Sequence, residues 1–162
     1  MFRDPSSKGH RMTTDSDKDD RLNMHATAVA IAGAGLMICG KSGSGKSDLA
    51  LRLIDRGAIL ISDDYVDIKR TNGSLLLSPP SNLAGKLEVR SLGILEREHE
   101  SGVLLKLIVN LKDDPDRFPM DKQAMILLGI TIPFCTLDAM ENSAAIKAEL
   151  ALQRILRDAA GL

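Results

Sequence analysis

An eight-residue stretch of the chain has the residue types and the spacing of a phosphate-binding loop. It matches the pattern G-x-x-x-x-G-K-[ST] at every position, through Gly40, Lys41, Ser42, Gly43, Ser44, Gly45, Lys46 and Ser47. In such a loop the glycines let successive backbone N–H groups point toward phosphate oxygens. The lysine reaches the β- and γ-phosphates of a nucleotide, and the hydroxyl of the last residue can hold Mg²⁺. The stretch predicts a site for nucleotide phosphates.

The segments on either side of this loop are those that the motif requires. The apolar run 36–39 predicts a strand that enters the loop. A helix is predicted to leave it, because Leu49 and Leu53 fall on one face and Arg52 on the other. Gly57 stands where a C-terminal helix cap belongs. Because a strand, a loop and a helix N-terminus together bind phosphate, this context disfavours a chance match.

Two adjacent carboxylates follow the next predicted strand. The apolar run 58–61 ends at Ser62, and Asp63 and Asp64 come directly after it. Neighbouring like charges need a reason to coexist, and a bound metal or a shared proton is such a reason. A solvated turn in which one aspartate caps the backbone is the alternative. On the first interpretation these residues extend the phosphate site.

The remaining pattern predicts an α/β fold with a mixed sheet in one domain, residues 25–162, after a disordered leader over residues 1–24. A hairpin is predicted between 26–31 and 36–39, because only a short glycine-containing turn separates them. Asn72-Gly73 predicts a second hairpin. Further strands are predicted within 85–94, over 103–111 and over 126–133, and a helix from Asp138 onward, with Asp138 or Ser143 as its N-cap.

Composition narrows the class of protein. The formal charge of −1 gives no reason to expect nucleic acid or a membrane surface as a partner. No apolar run approaches the ~20 residues that a membrane span needs. Two cysteines, Cys39 and Cys135, are too few for a disulfide scaffold. These features favour a cytoplasmic protein.

Several of these residues together resemble the C-terminal catalytic domain of the bacterial HPr kinase/phosphorylase family. The similarity is greatest to a short form that lacks the family's N-terminal domain, and it covers residues 25 to about 137. His25 lies one strand and one turn ahead of the loop, and the loop is followed by Arg56-Gly57 and then by Asp63-Asp64. The segment 87–94, Leu-Glu-Val-Arg-Ser-Leu-Gly-Ile, resembles the family signature, with Ser91 where the family usually has glycine.

The resemblance implies a phosphate-binding-loop (P-loop) kinase domain with a core like that of phosphoenolpyruvate carboxykinase, assembled as a hexamer. It implies ATP and Mg²⁺ as cofactors. The implied substrate is a serine on HPr, the small carrier protein of the phosphotransferase system, or on an HPr-like carrier. Many members of the family also reverse the reaction by phosphorolysis.

The resemblance also implies roles for particular residues. Asp64 would take the proton from the seryl hydroxyl, with His25 as a catalytic partner. Ser47 and Glu88 would hold Mg²⁺, with Asp63 beside them as a further metal residue. Arg117 resembles a family arginine that acts in catalysis, where a guanidinium stabilises charge developing near the γ-phosphate, and Lys46 would clamp the phosphates.

Other functions remain open at this stage. A small GTPase is disfavoured because Asn110-Leu111-Lys112-Asp113 places the lysine one position late for N-K-x-D. A small-metabolite kinase is compatible with the loop, although residues 112–122 contain one arginine and no Arg-rich lid. A non-catalytic nucleotide sensor would need no proton acceptor. The reverse reaction is also open, because the family's basic loop before the last helix corresponds to 133–138, which has no arginine.

Overall fold

The computed structural model describes residues 20–119 and 121–161. A disordered leader was predicted for residues 1–24. Its first 19 residues lie outside the described residues, and its last part lies within them. Residues 21–25 form a strand, so regular structure begins earlier than predicted. The physical reason is that Leu22 and Met24, on one side of this strand, pack against a core cluster.

Eleven strands and two α-helices occur in the part of the chain that the structure describes. The strands are β1 (Arg21–His25), β2 (Thr27–Ile31), β3 (Ala34–Cys39), β4 (Ile59–Ser62), β5 (Tyr65–Thr71), β6 (Ser74–Ser78), β7 (Lys86–Val89), β8 (Gly93–Glu96), β9 (Val103–Leu111), β10 (Gln123–Leu127) and β11 (Ile130–Leu137). The helices are α1 (Lys46–Asp55) and α2 (Ala144–Ala159). Neither helix is both long and apolar enough to cross a membrane.

One large sheet has the strand order β1-β5-β6-β9-β3-β2-β4. Two strands pair with β9 on the side away from β3. β6 pairs with the first two residues of β9, and β11 pairs with its last four. β10 pairs with β11, while β7 and β8 form a separate hairpin. Because β9 pairs parallel with β3 and β11 but antiparallel with β6, the predicted α/β fold with a mixed sheet is confirmed.

The strand directions bring the chemically important segments to one edge of the sheet, called here the loop edge. β2 is antiparallel to both β3 and β4, so β3 and β4 run in the same direction. β9 and β11 run in that direction too. The carboxyl ends of these four strands and the amino end of β2 therefore meet at the loop edge, where α/β sheets generally bind ligands.

Aliphatic side chains fill a core on each face of the sheet. On one face Leu49 and Leu53 of α1 and Leu152 of α2 pack against β3 and β9. On the other face Met37 and Ile108 lie in a second cluster with side chains of β5 and β6. Burying one large aliphatic side chain contributes about 1.5–3 kcal/mol. The strand that carries the phosphate-binding loop is thus held from both sides.

Most of the predicted turns are confirmed. The β2–β3 hairpin forms as the spacing predicted. Asn72 and Gly73 both adopt positive φ, of 52° and 75°, as a two-residue hairpin turn requires. Gly57, with φ of 111°, lies just beyond the C-terminal end of α1, and its N–H donates to the carbonyl of Ile54. This glycine therefore terminates the helix as predicted.

Two predicted single strands are hairpins in the structure, and one of the two predicted starts of the last helix is confirmed. Residues 85–94 contribute β7 and the first half of β8, joined by a turn in which Ser91 has φ of 75°. Residues 126–133 span the end of β10 and the start of β11. Their turn is hidden in an apolar run because Leu128, with φ of 49°, precedes Gly129. α2 begins at Ala144 with Ser143 at its N-cap position, which is one of the two predicted N-caps. Asp138, the other, instead caps a separate turn by accepting the N–H of Met140 at 2.9 Å.

Candidate active site

The phosphate-binding loop is a cradle that only glycine can form at certain positions. Gly43 and Gly45 have φ of 81° and 100°, in the left-handed region that L side chains rarely adopt. A Cβ on Gly45 would lie 3.0 Å from the Cβ of Ala139, and a Cβ on Gly40 would lie 2.6 Å from the Oγ of Ser44. That Oγ is buried and has no hydrogen-bond partner within the described residues. Because phosphate oxygens would supply the missing partner, the loop fits a phosphate.

Lys46 lies against the loop that precedes it. Its side chain is buried, and its Nζ donates to the carbonyls of Gly40 at 3.0 Å and Lys41 at 2.8 Å. An ammonium group has three donors. The two carbonyls therefore leave one N–H of Lys46 for an anionic ligand held by the loop.

Asp63 is the centre of a buried hydrogen-bond network. Its side chain is 5% exposed. Oδ1 accepts hydrogen bonds from the Ser47 hydroxyl at 2.7 Å and from the Thr27 hydroxyl at 2.9 Å, and Oδ2 accepts one from the backbone N–H of Glu88 at 2.9 Å. Three donors offset the cost of burying this carboxylate. The network joins the helix α1, the amino end of β2 and the hairpin β7–β8 to the end of β4.

Asp64 lies in different surroundings from Asp63. Its side chain is 58% exposed, and its Oδ1 lies 2.9 Å from Nε2 of His25. Its φ of 72° is unusual for a residue other than glycine. Hydrogen bonds hold this conformation from both sides, since Ala26 N–H donates to the Asp64 carbonyl and Tyr65 N–H donates to the Asp63 carbonyl. One aspartate is therefore a buried acceptor and the other an exposed carboxylate paired with histidine.

Tyr65 and Thr27 contribute to the site although neither was among the predicted site residues. Tyr65, the chain's one tyrosine, pairs with His25 across β5 and β1, and their ring centroids are 5.2 Å apart. Thr27 is fully buried. A threonine near the start of a strand carries no sequence signal for a hydrogen bond to an aspartate 36 positions later. The tyrosine's position next to Asp63-Asp64 was a signal that could have been used.

Glu88 and Arg117, the other two predicted site residues, differ in whether they contact the hydrogen-bond network around Asp63. Glu88 reaches it through its backbone N–H, while its side chain is exposed on β7. Arg117 is exposed between β9 and β10, with its guanidinium carbon 5.8 Å from the ring centroid of Phe118. Within the described residues Arg117 makes no hydrogen bond or ion pair with the loop or with Asp64. Hydrogen bonds therefore join Ser47 and Glu88 to Asp63 and His25 to Asp64, and Lys46 lies next to Ser47. Within the described residues no such bond links Arg117 to them.

The oxygen atoms near Asp63 are of the kind that bind Mg²⁺. The ion prefers oxygen ligands and keeps several waters, so one or two carboxylates are enough in a nucleotide site. The hydroxyl of Ser47 and the exposed carboxylate of Glu88 are oxygen groups of this kind, and the Ser47 hydroxyl donates to Asp63. No group of three or more His, Cys, Asp or Glu side chains arranged to hold a metal occurs among the described residues. A cation shared with phosphate oxygens fits this set better than one bound by protein ligands alone.

The thiol beside the loop is not suited to nucleophilic chemistry. Burial raises the pKa of Cys39 to about 11, although the nearby Lys46 ammonium acts in the opposite direction. Burial raises the pKa of Cys135 to about 11 as well, against the effect of Arg154. The thiolate is the nucleophilic form of cysteine. Both side chains therefore act as small packing groups.

The chain is similar to proteins of one known family. The family model described as HPr Serine kinase C-terminal domain matches residues 18–158. A protein of Clostridium botulinum named HPr kinase/phosphorylase is 40% identical over 121 residues, which is 67% of this chain and 40% of that protein. One of Azoarcus with the same name is 33% identical over 158 residues, 88% of this chain and 50% of that protein. The chain thus spans half or less of the length of these relatives.

A solved structure shares the fold. The structure of the Hpr(Ser) kinase/phosphatase from Coxiella burnetii superimposes with a TM-score of 0.73 at 28% sequence identity. The superposition covers 84% of this chain and 97% of that one. The arrangement of strands and helices described above is therefore that of a known architecture.

Proposed function

Because the chain belongs to the HPr Serine kinase C-terminal domain family, we propose that it transfers the γ-phosphoryl group of ATP to a serine of HPr or an HPr-like carrier. The observation that carries this proposal is the 2.9 Å contact between Asp64 and His25 at the edge of the sheet that also carries the phosphate-binding loop. A site for phosphates alone would need no exposed carboxylate held in a strained backbone conformation. A site that accepts a proton from an incoming hydroxyl needs an exposed base, and the Asp64 carboxylate paired with His25 fits that role.

The residues divide into groups that bind phosphate and groups that handle the proton. The loop backbone and Lys46 hold the phosphates, and Ser47 and Glu88 hold Mg²⁺, which neutralises phosphate charge when bound. Asp63 positions the Ser47 hydroxyl. Asp64 is the proton acceptor, and His25 holds its carboxylate in place when Nε2 carries a proton and donates to Oδ1.

The proposed reaction is an in-line displacement. The seryl oxygen of the carrier forms a bond to the γ-phosphorus while the bond from that phosphorus to the bridging oxygen breaks. The hydroxyl proton passes to the carboxylate of Asp64, and ADP leaves. Positioning and charge stabilisation supply most of the catalysis in such reactions. Arg117 would have to approach the γ-phosphate once substrates are bound, since it lies apart from the loop within the described residues.

The direction of the reaction is proposed to be phosphorylation. Residues 133–138 are the segment that the resemblance places at the family's basic loop, and all of them except Asp138 lie within β11. The connection between β11 and α2, residues 138–143, contains no lysine or arginine. A reverse reaction with inorganic phosphate would need cationic groups to hold two anions. These groups would have to come from another segment or subunit.

The deciding experiment is intact-mass spectrometry of the HPr-like carrier after incubation with this protein, ATP and Mg²⁺. We expect the carrier to gain one phosphate on a serine. Asp64→Asn should slow the transfer by ~10²–10⁴-fold while ATP binding is retained. Asp67→Asn, at an exposed position on β5, is the matched control. Adding inorganic phosphate to the product then tests the reverse direction.

The alternatives give different results in the same experiment. An unmodified carrier, with ATP still bound, would contradict the proposed substrate and favour a small-metabolite kinase or a nucleotide sensor. Turnover of ATP on addition of small-molecule acceptors, without any carrier, would favour the first of these. Full activity of Asp64→Asn would contradict the assigned proton acceptor but leave the substrate assignment intact.

We also propose a hexamer, as the family resemblance implies, and a cytoplasmic location, where ATP is supplied. Large apolar side chains on the surface support self-association, because Leu92 and Ile94 of the β7–β8 hairpin are about 70% exposed. Ile146 and Leu150, one turn apart on α2, are exposed too. Light scattering of the purified chain would give the subunit number, and a monomer at micromolar concentration would contradict this part of the proposal.

A further inference from the structure

Arg52 of α1 connects this helix to the segment between β11 and α2, called here the β11–α2 turn (residues 138–143). Its Nη2 donates to the carbonyl of Ala139 at 2.6 Å, and its Nη1 donates to the carbonyl of Glu141 at 3.2 Å. Its Nε lies 3.1 Å from Oδ2 of Asp48, an ion pair within the helix. A planar guanidinium fixes the directions of several acceptors at once, which an ammonium group cannot do. Arg52 therefore sets both the position and the orientation of the turn relative to α1.

The other hydrogen bonds of the β11–α2 turn hold its shape but do not attach it to α1. Asp138 accepts the N–H of Met140 at 2.9 Å, and the carbonyl of Glu141 accepts the N–H of Ala144 at 3.1 Å. Within residues 20–119 and 121–161, no other side chain of α1 forms a hydrogen bond with this turn. Arg52 is thus the polar link between the two segments in the part of the chain that the structure describes.

The turn that Arg52 holds packs on the phosphate-binding loop. Ala139 is 7% exposed and lies in the same core cluster as Leu49 and Leu53 of α1. A Cβ on Gly45 would lie 3.0 Å from the Cβ of Ala139, so the turn fills the space beside Gly45. The carbonyl of Gly45 accepts the N–H of Leu49 at 2.9 Å, at the start of α1. Ala139 therefore supports the loop at the point where the loop becomes a helix.

From these contacts, and resting on the proposed binding of ATP by the loop, we propose that Arg52 is a positioning residue for phosphate binding. It holds the β11–α2 turn in place, and Ala139 keeps Gly45 in the left-handed conformation that directs backbone N–H groups toward phosphate. The three acceptors that the guanidinium contacts all belong to the protein, so its effect on a ligand passes through the turn. Arg52 therefore acts on the affinity for phosphate and not on the proton transfer at Asp64.

Calorimetric titration of the whole chain with ATP and with inorganic tripolyphosphate, in the presence of Mg²⁺, tests this role. Arg52→Ala should raise the Kd of both ligands about 3–10-fold, the factor that corresponds to the loss of one hydrogen bond. At saturating ATP it should change the kcat for transfer to the carrier less than twofold. Arg56→Ala is the matched control, because Arg56 donates to Glu149 of α2 at 2.9 Å without contacting the turn. This control should leave both Kd values within twofold of the wild type.

A double-mutant cycle tests the path from Arg52 to the loop. Ala139→Gly removes the Cβ beside Gly45 but keeps the carbonyl that Arg52 binds, and by itself it should weaken the binding of ATP. If both residues act through the same contact, the double variant should weaken binding by less than the product of the two single factors. Factors that multiply would overturn the path through Ala139.

A conservative variant keeps the test decisive if Arg52→Ala does not fold. Arg52→Lys keeps the charge and one donor to the turn but loses the planar fork, so its Kd for ATP should lie between those of the wild type and the alanine variant. A Kd no higher in either Arg52 variant than in Arg56→Ala, or a lower kcat with an unchanged Kd, would overturn the positioning role.

The same titrations separate this role from the proposed function. Failure of the wild type to bind either ATP or tripolyphosphate would overturn the use of a nucleotide, and the role of Arg52 with it. If the Arg52 variants bind ATP more weakly than the wild type while the carrier remains unmodified by all of them, the positioning role is supported and the proposed substrate is contradicted.

Discussion

The hydroxyl of Ser47 donates a hydrogen bond to Oδ1 of Asp63 over 2.7 Å. The last residue of the phosphate-binding motif and the first carboxylate after β4 therefore form one unit. Since the hydroxyl proton points to Asp63, the lone pairs of the Ser47 oxygen remain available for a cation. Asp63 itself is occupied by three donors, so its effect on a metal would pass through Ser47.

Asp63→Asn tests this relationship. The Asn carbonyl can still accept the Glu88 N–H, but its NH₂ group must then donate to the hydroxyls of Ser47 and Thr27, which become acceptors. We expect the Mg²⁺ concentration needed for half-maximal phosphoryl transfer to rise about tenfold, and the free energy of unfolding to fall by ~1–3 kcal/mol. A Mg²⁺ titration of the transfer rate and a urea unfolding curve measure the two effects. An unchanged Mg²⁺ requirement, with Asp67→Asn as control, would contradict the indirect role of Asp63.

Thr27 supports the same carboxylate from the buried side. Thr27→Val keeps the side-chain volume but removes a hydrogen bond to a charged group, and it should cost ~1.5–3 kcal/mol of unfolding free energy. Thr27→Ser keeps the hydroxyl and removes one methyl group, at a cost of ~0.8 kcal/mol. Urea unfolding of both variants gives the comparison. Greater stability of the valine variant than of the serine variant would show that packing at this position outweighs the hydrogen bond.

Local signals predicted the parts of the site that are continuous in sequence. The loop, the strand before it and the helix after it form one supersecondary unit, and Gly57 and Asn72-Gly73 mark turns by their own chemistry. Thr27 could not be predicted in this way, because its bond to Asp63 depends on β2 lying next to β4 in the sheet. The order of strands is a property of the whole fold.

The missed hairpins have a local cause. Leu128 and Ser91 adopt positive φ although neither is glycine, asparagine or aspartate. Neither residue favours this left-handed conformation, so the sequence did not indicate a hairpin turn there, and two strands were predicted as one in each case. The carbonyl of Leu128 accepts a hydrogen bond from Nη1 of Arg70 at 2.9 Å. A side chain from a distant strand thus helps to hold a turn that its own sequence does not favour.

Tyr65 is predicted to position His25. Replacing it with leucine removes the ring that packs on the imidazole, and aromatic pairs contribute ~0.5–1.5 kcal/mol. The kcat for phosphoryl transfer should fall about 2–10-fold, by the same energy expressed as a rate. The KM for ATP should stay unchanged, because Tyr65 makes no contact with the loop within the described residues. Tyr65→Phe keeps the ring and should restore kcat, whereas equal loss in both variants would indicate a role for the hydroxyl.

Arg117 gives a test of whether the loop between β9 and β10 takes part in catalysis. If the guanidinium reaches the γ-phosphate in the substrate complex, Arg117→Ala should lower kcat by ~10²–10³-fold, as loss of other charge-stabilising donors does. Its unfolding free energy should change by less than ~0.5 kcal/mol, since the side chain is exposed and its described contact is the Phe118 ring. Lys69→Ala, at an exposed position on β5, is the control. A kcat close to wild type would remove Arg117 from the site.

The two thiols should be slow to react until the pH is high. With a pKa of about 11 for both Cys39 and Cys135, only ~0.1% of each is thiolate at pH 8, and alkylation should accelerate about tenfold for each pH unit. Intact-mass spectrometry after iodoacetamide treatment at pH 7, 8 and 9 measures this, and the single variants Cys39→Ser and Cys135→Ser separate the two sites. In urea both thiols should react at the rate of an ordinary cysteine.

The raised pKa of the two thiols also predicts how the free energy of unfolding depends on pH. The folded chain keeps these thiols protonated above their ordinary value of 9.0, whereas the unfolded chain releases the protons there. Their contribution to the free energy of unfolding is therefore complete below pH 9 and is lost as the pH rises toward about 11. Replacing both cysteines with serine should make the free energy of unfolding fall less steeply between pH 9 and about 11. An equally steep decline in the double variant would assign the alkaline loss of stability to other groups. In the alkylation experiment, rapid reaction at pH 7 would show that the thiols are not buried in solution.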